Sequence, residues 1–425
     1  MNNNKSSTKE NSFLKKLGPG LITGAADDDP SGIATYSQAG AQFGFAMLWS
    51  LIFSYPLMAA IQIISARIGR ISGRGLTENI ALYYPRWLLY CIIIALLITN
   101  TINIGADIAA MGQALKLVIG GPALLYATIF GVASLLLQIF VPYRKYVQIL
   151  KWLTLTLLAY VLTLFTVDTP WLKVMHQVIF PELSLKKEYI TTLVAIFGTT
   201  ISPYLFFWQT SQEVEELNND DNEHPLKKAP QQALSNFKRI NLDTVVGMGF
   251  SNLVAFSIML ASAIALHAHG ITHIQTSADA ANALKPVAGN FAFLLFSLGI
   301  IGTGLLAIPV LAGSAAYAMA DAFKWRGSLE LKPYKAKRFY AIIGAATLIG
   351  IGLTFTDIDP IQALYWSAVI NGILAVPVMI LMMIMSNNKK IMGQFKLTLR
   401  LRILGWLCTG TMTIAVLALA FVHAS

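Results

Sequence analysis

Residues 18–44 read GPGLITGAADDDPSGIATYSQAGAQFG. This is the first apolar stretch of the chain, yet its middle carries Asp27, Asp28 and Asp29, followed by Pro30, Ser31 and Gly32. Carboxylates at bilayer depth are costly, so they face a water-filled cavity or a partner. Pro30 removes a backbone donor and Gly32 adds backbone freedom at the same point. The stretch therefore predicts two half-helices joined by an unwound turn, tolerated at that depth only where protein or water covers it. A turn rich in oxygen and net negative is a cation site.

A second interruption falls in residues 190–212, where Gly198, Thr199, Thr200, Ile201, Ser202, Pro203 and Tyr204 break an apolar run. Two interrupted segments at corresponding places in two halves are a sequence pointer to the substrate site of a secondary transporter. The plain alternative is a pair of proline kinks with an acidic cluster at the membrane surface.

Composition agrees with a membrane setting. Of 425 residues 56% are hydrophobic and 12% charged, where a soluble domain carries roughly twice that charge. Eleven apolar runs, centred from near Ala34 to near Thr413, approach the roughly 20 residues needed to span a bilayer. With the N-terminus inside, every basic residue except Lys116, Lys173, Lys186, Lys187 and Lys285 falls on the cytoplasmic side. The net charge of +10 is thus a matter of orientation, not of binding nucleic acid. Ser425 is expected outside. No cleaved signal peptide and no phosphate-binding loop are expected.

The expected plan is an all-α, polytopic bundle of two inverted five-helix repeats. Residues 1–17 form a cytoplasmic tail, 18–168 the first repeat, 169–188 an external loop and 189–388 the second repeat. Residues 389–425 hold the last helix and the loop before it. The first and sixth helices are unwound at the midplane. The acidic run from Glu213 to Glu223 reads as a solvated loop, with Glu213, Glu215 and Glu216 at the mouth of an exit funnel. His267, His269 and His273 read as external loop residues, and Cys91 and Cys408 as small core residues.

Residues 18–44 resemble the first segment of the Nramp (natural resistance-associated macrophage protein) family of divalent-metal transporters. The GPG start, the Asp-Pro turn and the run from Ile33 to Gly44 carry the likeness. Residues 65–69 (SARIG), 72–75 (SGRG) and 105–109 (GADIA) extend it. The resemblance implies the LeuT-type fold, with a divalent cation bound between the first and sixth segments. The departures imply more. Where the family has Asp-Pro-Gly-Asn this chain has Asp29-Pro30-Ser31-Gly32, and where it has Met-Pro-His this chain has Ser202-Pro203-Tyr204. A soft thioether gives way to a hydroxyl, which suits a partly hydrated Mg²⁺ and resembles the Nramp-related magnesium transporters. The family's histidines correspond to Tyr204 and Gln209, and its acid after the third-segment aspartate to Ala110, so weak or absent proton coupling is implied.

Asp29 is the leading ligand. Asp27 and Asp28 are adjacent, so at most one of them joins it. The carbonyls of Ala26 and Thr199, the room at Gly32, and the hydroxyls of Thr200, Ser202 and Tyr204 complete the candidate shell. Asn371 faces either the cavity or a helix contact. Asp107 is a residual relay with Gln209, a salt-bridge partner of Arg338, or a packing residue. The expectation is a carrier of Mg²⁺, and also Mn²⁺, in the inner (plasma) membrane. It needs no cofactor, no nucleic acid and no oligomer, and its partners are the metal ion and the bilayer. The near alternative is a proton-coupled Mn²⁺/Fe²⁺ symporter. A sodium-driven amino-acid carrier is disfavoured because three aspartates repel a carboxylate substrate. A membrane enzyme lacks a convergent nucleophile or metal-binding set.

Overall fold

A computed structural model describes residues 23–24, 26–141, 155–166 and 168–424. The expected tail, Gly18 to Ile22, and the basic residues Arg144, Lys145 and Lys151 lie outside the described residues. Among the described residues the secondary structure is helical, without strands.

The helices are α1 (Pro30–Phe43), α2 (Leu48–Ser72), α3 (Leu76–Tyr83), α4 (Arg86–Ile119), α5 (Ala123–Phe140), α6 (Leu158–Thr166) and α7 (Trp171–Ile179). They continue as α8 (Lys187–Thr200), α9 (Pro203–Asn219), α10 (Ala233–Ala265), α11 (Ala292–Phe323), α12 (Lys337–Leu353), α13 (Pro360–Asn387) and α14 (Leu399–Ala424). Eight described stretches are long and apolar enough to cross a membrane, with α1 and α2 counted as one stretch and α8 and α9 as another. The chain is a multi-pass integral membrane protein.

Each break has a local cause. Thr23 and Gly24 are helical, as are Ala26 and Asp27, and the helix then opens at Asp28 and Asp29 before restarting at Pro30. Asp29 is the cap: its extended backbone (φ −70°, ψ 169°) turns its carboxylate onto the amide of Gly32. Proline at the first helical position costs nothing there, because that amide has no helical partner. In the second broken helix Ile201 and Ser202 leave the helical conformation and Pro203 restarts it.

An unbroken helix runs beside each broken one. A Cβ on Gly24 or Gly40, one on each side of the first break, would run into the backbone of α10 at Gly247 or Met259. Gly198 lies equally close to α13 at Ala368 and Gly372. Around these pairs two groups form: α1, α2, α8, α9 and α10 pack together, α4 gathers α5, α11 and α12, α13 touches both, and α9 also packs on α11.

The C-terminal end of α2 closes with Gly73 in the left-handed region (φ 65°), where glycine meets no steric penalty. Beside it lies a departure from expectation. Glu213 and Glu215 belong to helix α9 and are buried rather than part of a solvated loop. Glu213 accepts from Arg239 at 2.6 Å, Arg70 reaches Glu223 at 2.5 Å, and the Tyr317 hydroxyl donates to Glu215 at 2.5 Å. The apolar half of α9 carries these acids inward, where the arginines of α2 and α10 are waiting.

Cys408 is buried but Cys91 is exposed on α4, because a bundle in lipid needs no polar outer face. His267 is tied to the end of α1 through its ring nitrogen and the Ala41 carbonyl, 2.8 Å apart.

Candidate cation site at the two helix breaks

The site is built around Asp29, which is 2% exposed. Its Oδ1 accepts two local bonds, from the Ser31 hydroxyl at 2.5 Å and the Gly32 amide at 2.8 Å. Its Oδ2 accepts from two distant helices, Asn103 Nδ2 of α4 at 3.2 Å and the Tyr204 hydroxyl of α9 at 3.2 Å. Tyr204 also stands 3.3 Å from the carbonyl of Ala26. One oxygen is thus fixed by its own helix cap and the other looks into the space between the helices.

The three aspartates divide. Asp27 and Asp28 share no partner with Asp29; both face α10, where the Ser251 hydroxyl lies 2.6 Å from Asp27 Oδ2 and 3.0 Å from Asp28 Oδ1. Asp27 Oδ1 has no hydrogen-bond partner among the described residues, nor has either oxygen of Asp107. All four carboxylates are buried, and no ion pair among the described residues involves any of them. Buried carboxylates without a cationic partner carry a large desolvation penalty, which a cation can offset.

At the second break the hydroxyls turn back onto their own helix. Ser202 donates to the carbonyls of Gly198 and Thr199, each at 2.8 Å, and Thr200 donates to Ile196 at 2.9 Å. Their lone pairs remain as acceptors. Thr199 Oγ1 stands 3.1 Å from where a Cβ on Gly32 would sit, with Tyr36 3.2 Å away. Gly32, Thr199 and Tyr36 therefore share one wall of the site.

Asn371 is buried with neither amide atom bonded among the described residues, one helical turn from Ser367 on α13. Gln209 does not join Asp107; its Oε1 accepts from Thr23, linking α9 to the first half of the broken helix. Arg338 is not a partner of Asp107 either. It lies exposed at the start of α12 with its guanidinium 5.3 Å above the Trp325 ring, while Asp107 lies in the interior of α4.

Sequence reasoning missed Asn103, Ser251 and Ser367. Asn103 stands four residues before Asp107, on the same face of α4, and that spacing was the available signal. Ser251 and Ser367 carry none, since small hydroxyl residues are common in membrane helices. Among the described residues no three His, Cys, Asp or Glu side chains stand together as a metal cluster. An ion held here would meet one carboxylate together with carbonyl, hydroxyl and amide groups. On the α1–α8–α13 side a cavity of ≈ 380 Å³ is lined by Gln38, Gln42, Glu188, His273, Gln362 and Tyr365.

Comparison with known proteins agrees with this architecture. The chain is 27% identical over 410 residues to the divalent metal cation transporter MntH of Caldanaerobacter subterraneus subsp. tengcongensis, covering 92% of this chain and 89% of that one. It is 24% identical over 402 residues to the MntH of Klebsiella pneumoniae (strain 342), with 92% and 90% covered. Among solved structures, the Eremococcus coleocola manganese transporter in complex with an aromatic bis-isothiourea substituted compound superposes with a TM-score of 0.68 at 18% identity. That match covers 95% of this chain and 86% of the other. Mhp1, a nucleobase-cation-symport-1 family transporter in a closed conformation, gives a TM-score of 0.58 at 12% identity, with 96% and 92% covered. These likenesses carry the LeuT-type fold. The sequence pattern of the family described as natural resistance-associated macrophage protein-like matches residues 20–422, and the chain belongs to that family.

Proposed function

We propose that this protein carries divalent metal cations across the membrane by alternating access, with Asp29 as the anchor. The carrying observation is the shell of Asp29: every recorded partner is an oxygen or an amide nitrogen, and among the described residues no cationic side chain pairs with it. Hard cations prefer such oxygens, and Mg²⁺ keeps several of its waters. Mg²⁺ is therefore a substrate together with Mn²⁺. The MntH relatives are divalent cation transporters by name, which supports the substrate class.

Transport is uncoupled from protons and needs no resident cofactor and no partner subunit. A negative-inside potential favours inward movement of a divalent ion by roughly 4.6 kcal/mol per 100 mV, twice the single-charge value. Downhill uptake needs no further driving force. The protein sits in the plasma (inner) membrane with its N-terminus inside and C-terminus outside, as the distribution of Lys and Arg indicates. Its halves are residues 18–168 and 189–388, with 389–425 as an addition.

One observation favours a second reading, a proton-coupled Mn²⁺/Fe²⁺ symporter. Asp107 is buried with both oxygens unbonded among the described residues, a titratable group that the hydrogen bonds of Asp29 leave unused. Purified protein in liposomes decides between them. Mg²⁺ and Mn²⁺ uptake without internal acidification, abolished in Asp29→Ala, supports the uncoupled carrier. Mn²⁺ uptake with acidification and no Mg²⁺ flux supports the symporter, and no cation flux at all removes both.

A further inference from the structure

The two oxygens of Asp29 are held unequally. Oδ1 has short bonds inside its own cap, at 2.5 and 2.8 Å, whereas both bonds to Oδ2 are 3.2 Å long. An O–H···O bond ordinarily measures about 2.7–2.8 Å, so the Tyr204 contact is loose. Oδ2 is the oxygen a cation can take. Around it lie Asn103 Nδ2 and the Tyr204 oxygen, each at 3.2 Å, and the Ala26 carbonyl lies 3.3 Å beyond the tyrosine oxygen. Neighbouring ligands of an octahedral Mg²⁺, at about 2.1 Å from the metal, stand ~3.0 Å apart. The spacing matches one edge after another of such a shell, except that Asn103 presents a nitrogen.

Ser367 of α13 removes that exception. Its hydroxyl stands 2.8 Å from Asn103 Oδ1 and 2.7 Å from the carbonyl of Leu364, with one hydrogen for two acceptors. If it donates to Asn103, the amide NH₂ points at Asp29. If it donates to Leu364, its own lone pairs accept from Asn103 Nδ2, and Oδ1 turns to Asp29. Both orientations of the amide are then satisfied, at no net loss of hydrogen bonds on the serine side. With no ion bound, the NH₂ orientation suits the carboxylate; beside a cation, the oxygen orientation does.

We propose that Asn103, supported by Ser367, is a coordinating residue for the transported cation. Its amide donates to Asp29 and rotates to present Oδ1 to a bound ion. This rests on the divalent-carrier reading and names the ligand that α4 contributes to it. Asp29 Oδ2, the Tyr204 hydroxyl, the Ala26 carbonyl and Asn103 Oδ1 form a half-shell, and water fills the rest. The same amide ties α4 to the cap of α1.

The test is the half-saturating Mg²⁺ concentration for uptake by wild type, Asn103→Leu, Asn103→Asp and Ser367→Ala in proteoliposomes. Folding of each is checked by thermal melting. Asn103→Leu keeps the shape but offers no oxygen, and is expected to raise the half-saturating concentration roughly tenfold or more. Asn103→Asp supplies an oxygen without a donor and is expected to bind Mg²⁺ at least as tightly as wild type. Ser367→Ala is expected to weaken binding a few-fold. An unchanged value for Asn103→Leu overturns the proposal, and so does Asn103→Asp failing as badly as Asn103→Leu, which assigns the amide a donor role only. If Asn103→Leu does not fold, the Asn103→Asp value decides alone. Wild-type flux and its loss in Asp29→Ala report separately on the carrier reading.

Discussion

In the C-terminal half of α9, Glu213 is fully buried, and Arg239 stands 2.6 Å away with Arg70 at 4.0 Å. Near the helix breaks, Asp27, Asp28, Asp29 and Asp107 are equally buried, and their recorded partners are Ser31, Asn103, Tyr204, Ser251 and one backbone amide. The first group is neutralised by fixed arginines from α2 and α10, so it belongs to the structure and holds three elements in register. The second has hydrogen-bond donors and no fixed positive charge. On the proposed reading, a carboxylate that the fold leaves uncompensated is matched to a charge that comes and goes. The contrast separates stability from transport, and the two can be broken independently.

The largest effect is expected for Asp29→Ala. Uptake of Mg²⁺ and Mn²⁺ should fall by about 100-fold or more, the weight of a lost charged ligand of roughly 3 kcal/mol. Stability should drop by only about 1 kcal/mol, because relief of the buried charge offsets the donors of Ser31, Asn103 and Tyr204 left unpaired and the cap bond is what remains lost, seen as a small shift in the melting temperature. A matched loss of folding would erase the contrast. Glu213→Ala should do the opposite. Leaving Arg239 and Arg70 without it costs about 3 kcal/mol, so melting should fall by several degrees, while the half-saturating cation concentration of the folded fraction stays unchanged.

Added Mg²⁺ sharpens the same point. At a concentration 100 times its dissociation constant it should stabilise wild type by about 2.7 kcal/mol and Glu213→Ala equally, but not Asp29→Ala; thermal melting with and without the ion reads this directly. Gly32→Ala puts a methyl group 3.1 Å from Thr199 Oγ1 and 3.2 Å from Tyr36. Such crowding costs about 1–3 kcal/mol and narrows the site, so Mg²⁺ flux should fall more than Mn²⁺ flux if the ion keeps its waters. The smallest effect is expected for Ser202→Ala. Its hydroxyl serves the carbonyls of Gly198 and Thr199, so the loss is about 1 kcal/mol of stability and transport stays within a few-fold of wild type.

The sequence by itself determined the membrane setting, the helical class and the positions of both breaks. These are local properties. Apolar runs set the lengths, Pro30 and Pro203 set the restarts, and Asp29 capping Gly32 lies within three residues of its partner. Asp29, Ala26 and Tyr204 were also within reach, because intramembrane polar groups beside a break are conspicuous. The tertiary structure alone decided how the aspartates divide between α10 and the α4–α9 side, and that Asn103 and Ser367 join Asp29. It also decided that Glu213 is paired and buried, and that Arg338 stacks on Trp325 rather than meeting Asp107. Each of these depends on which residues of two helices, tens to hundreds of positions apart, arrive at the same height. That registry is set by close backbone approaches such as Gly24 and Gly40 along α10 and Gly198 along α13. No periodicity within one segment encodes it.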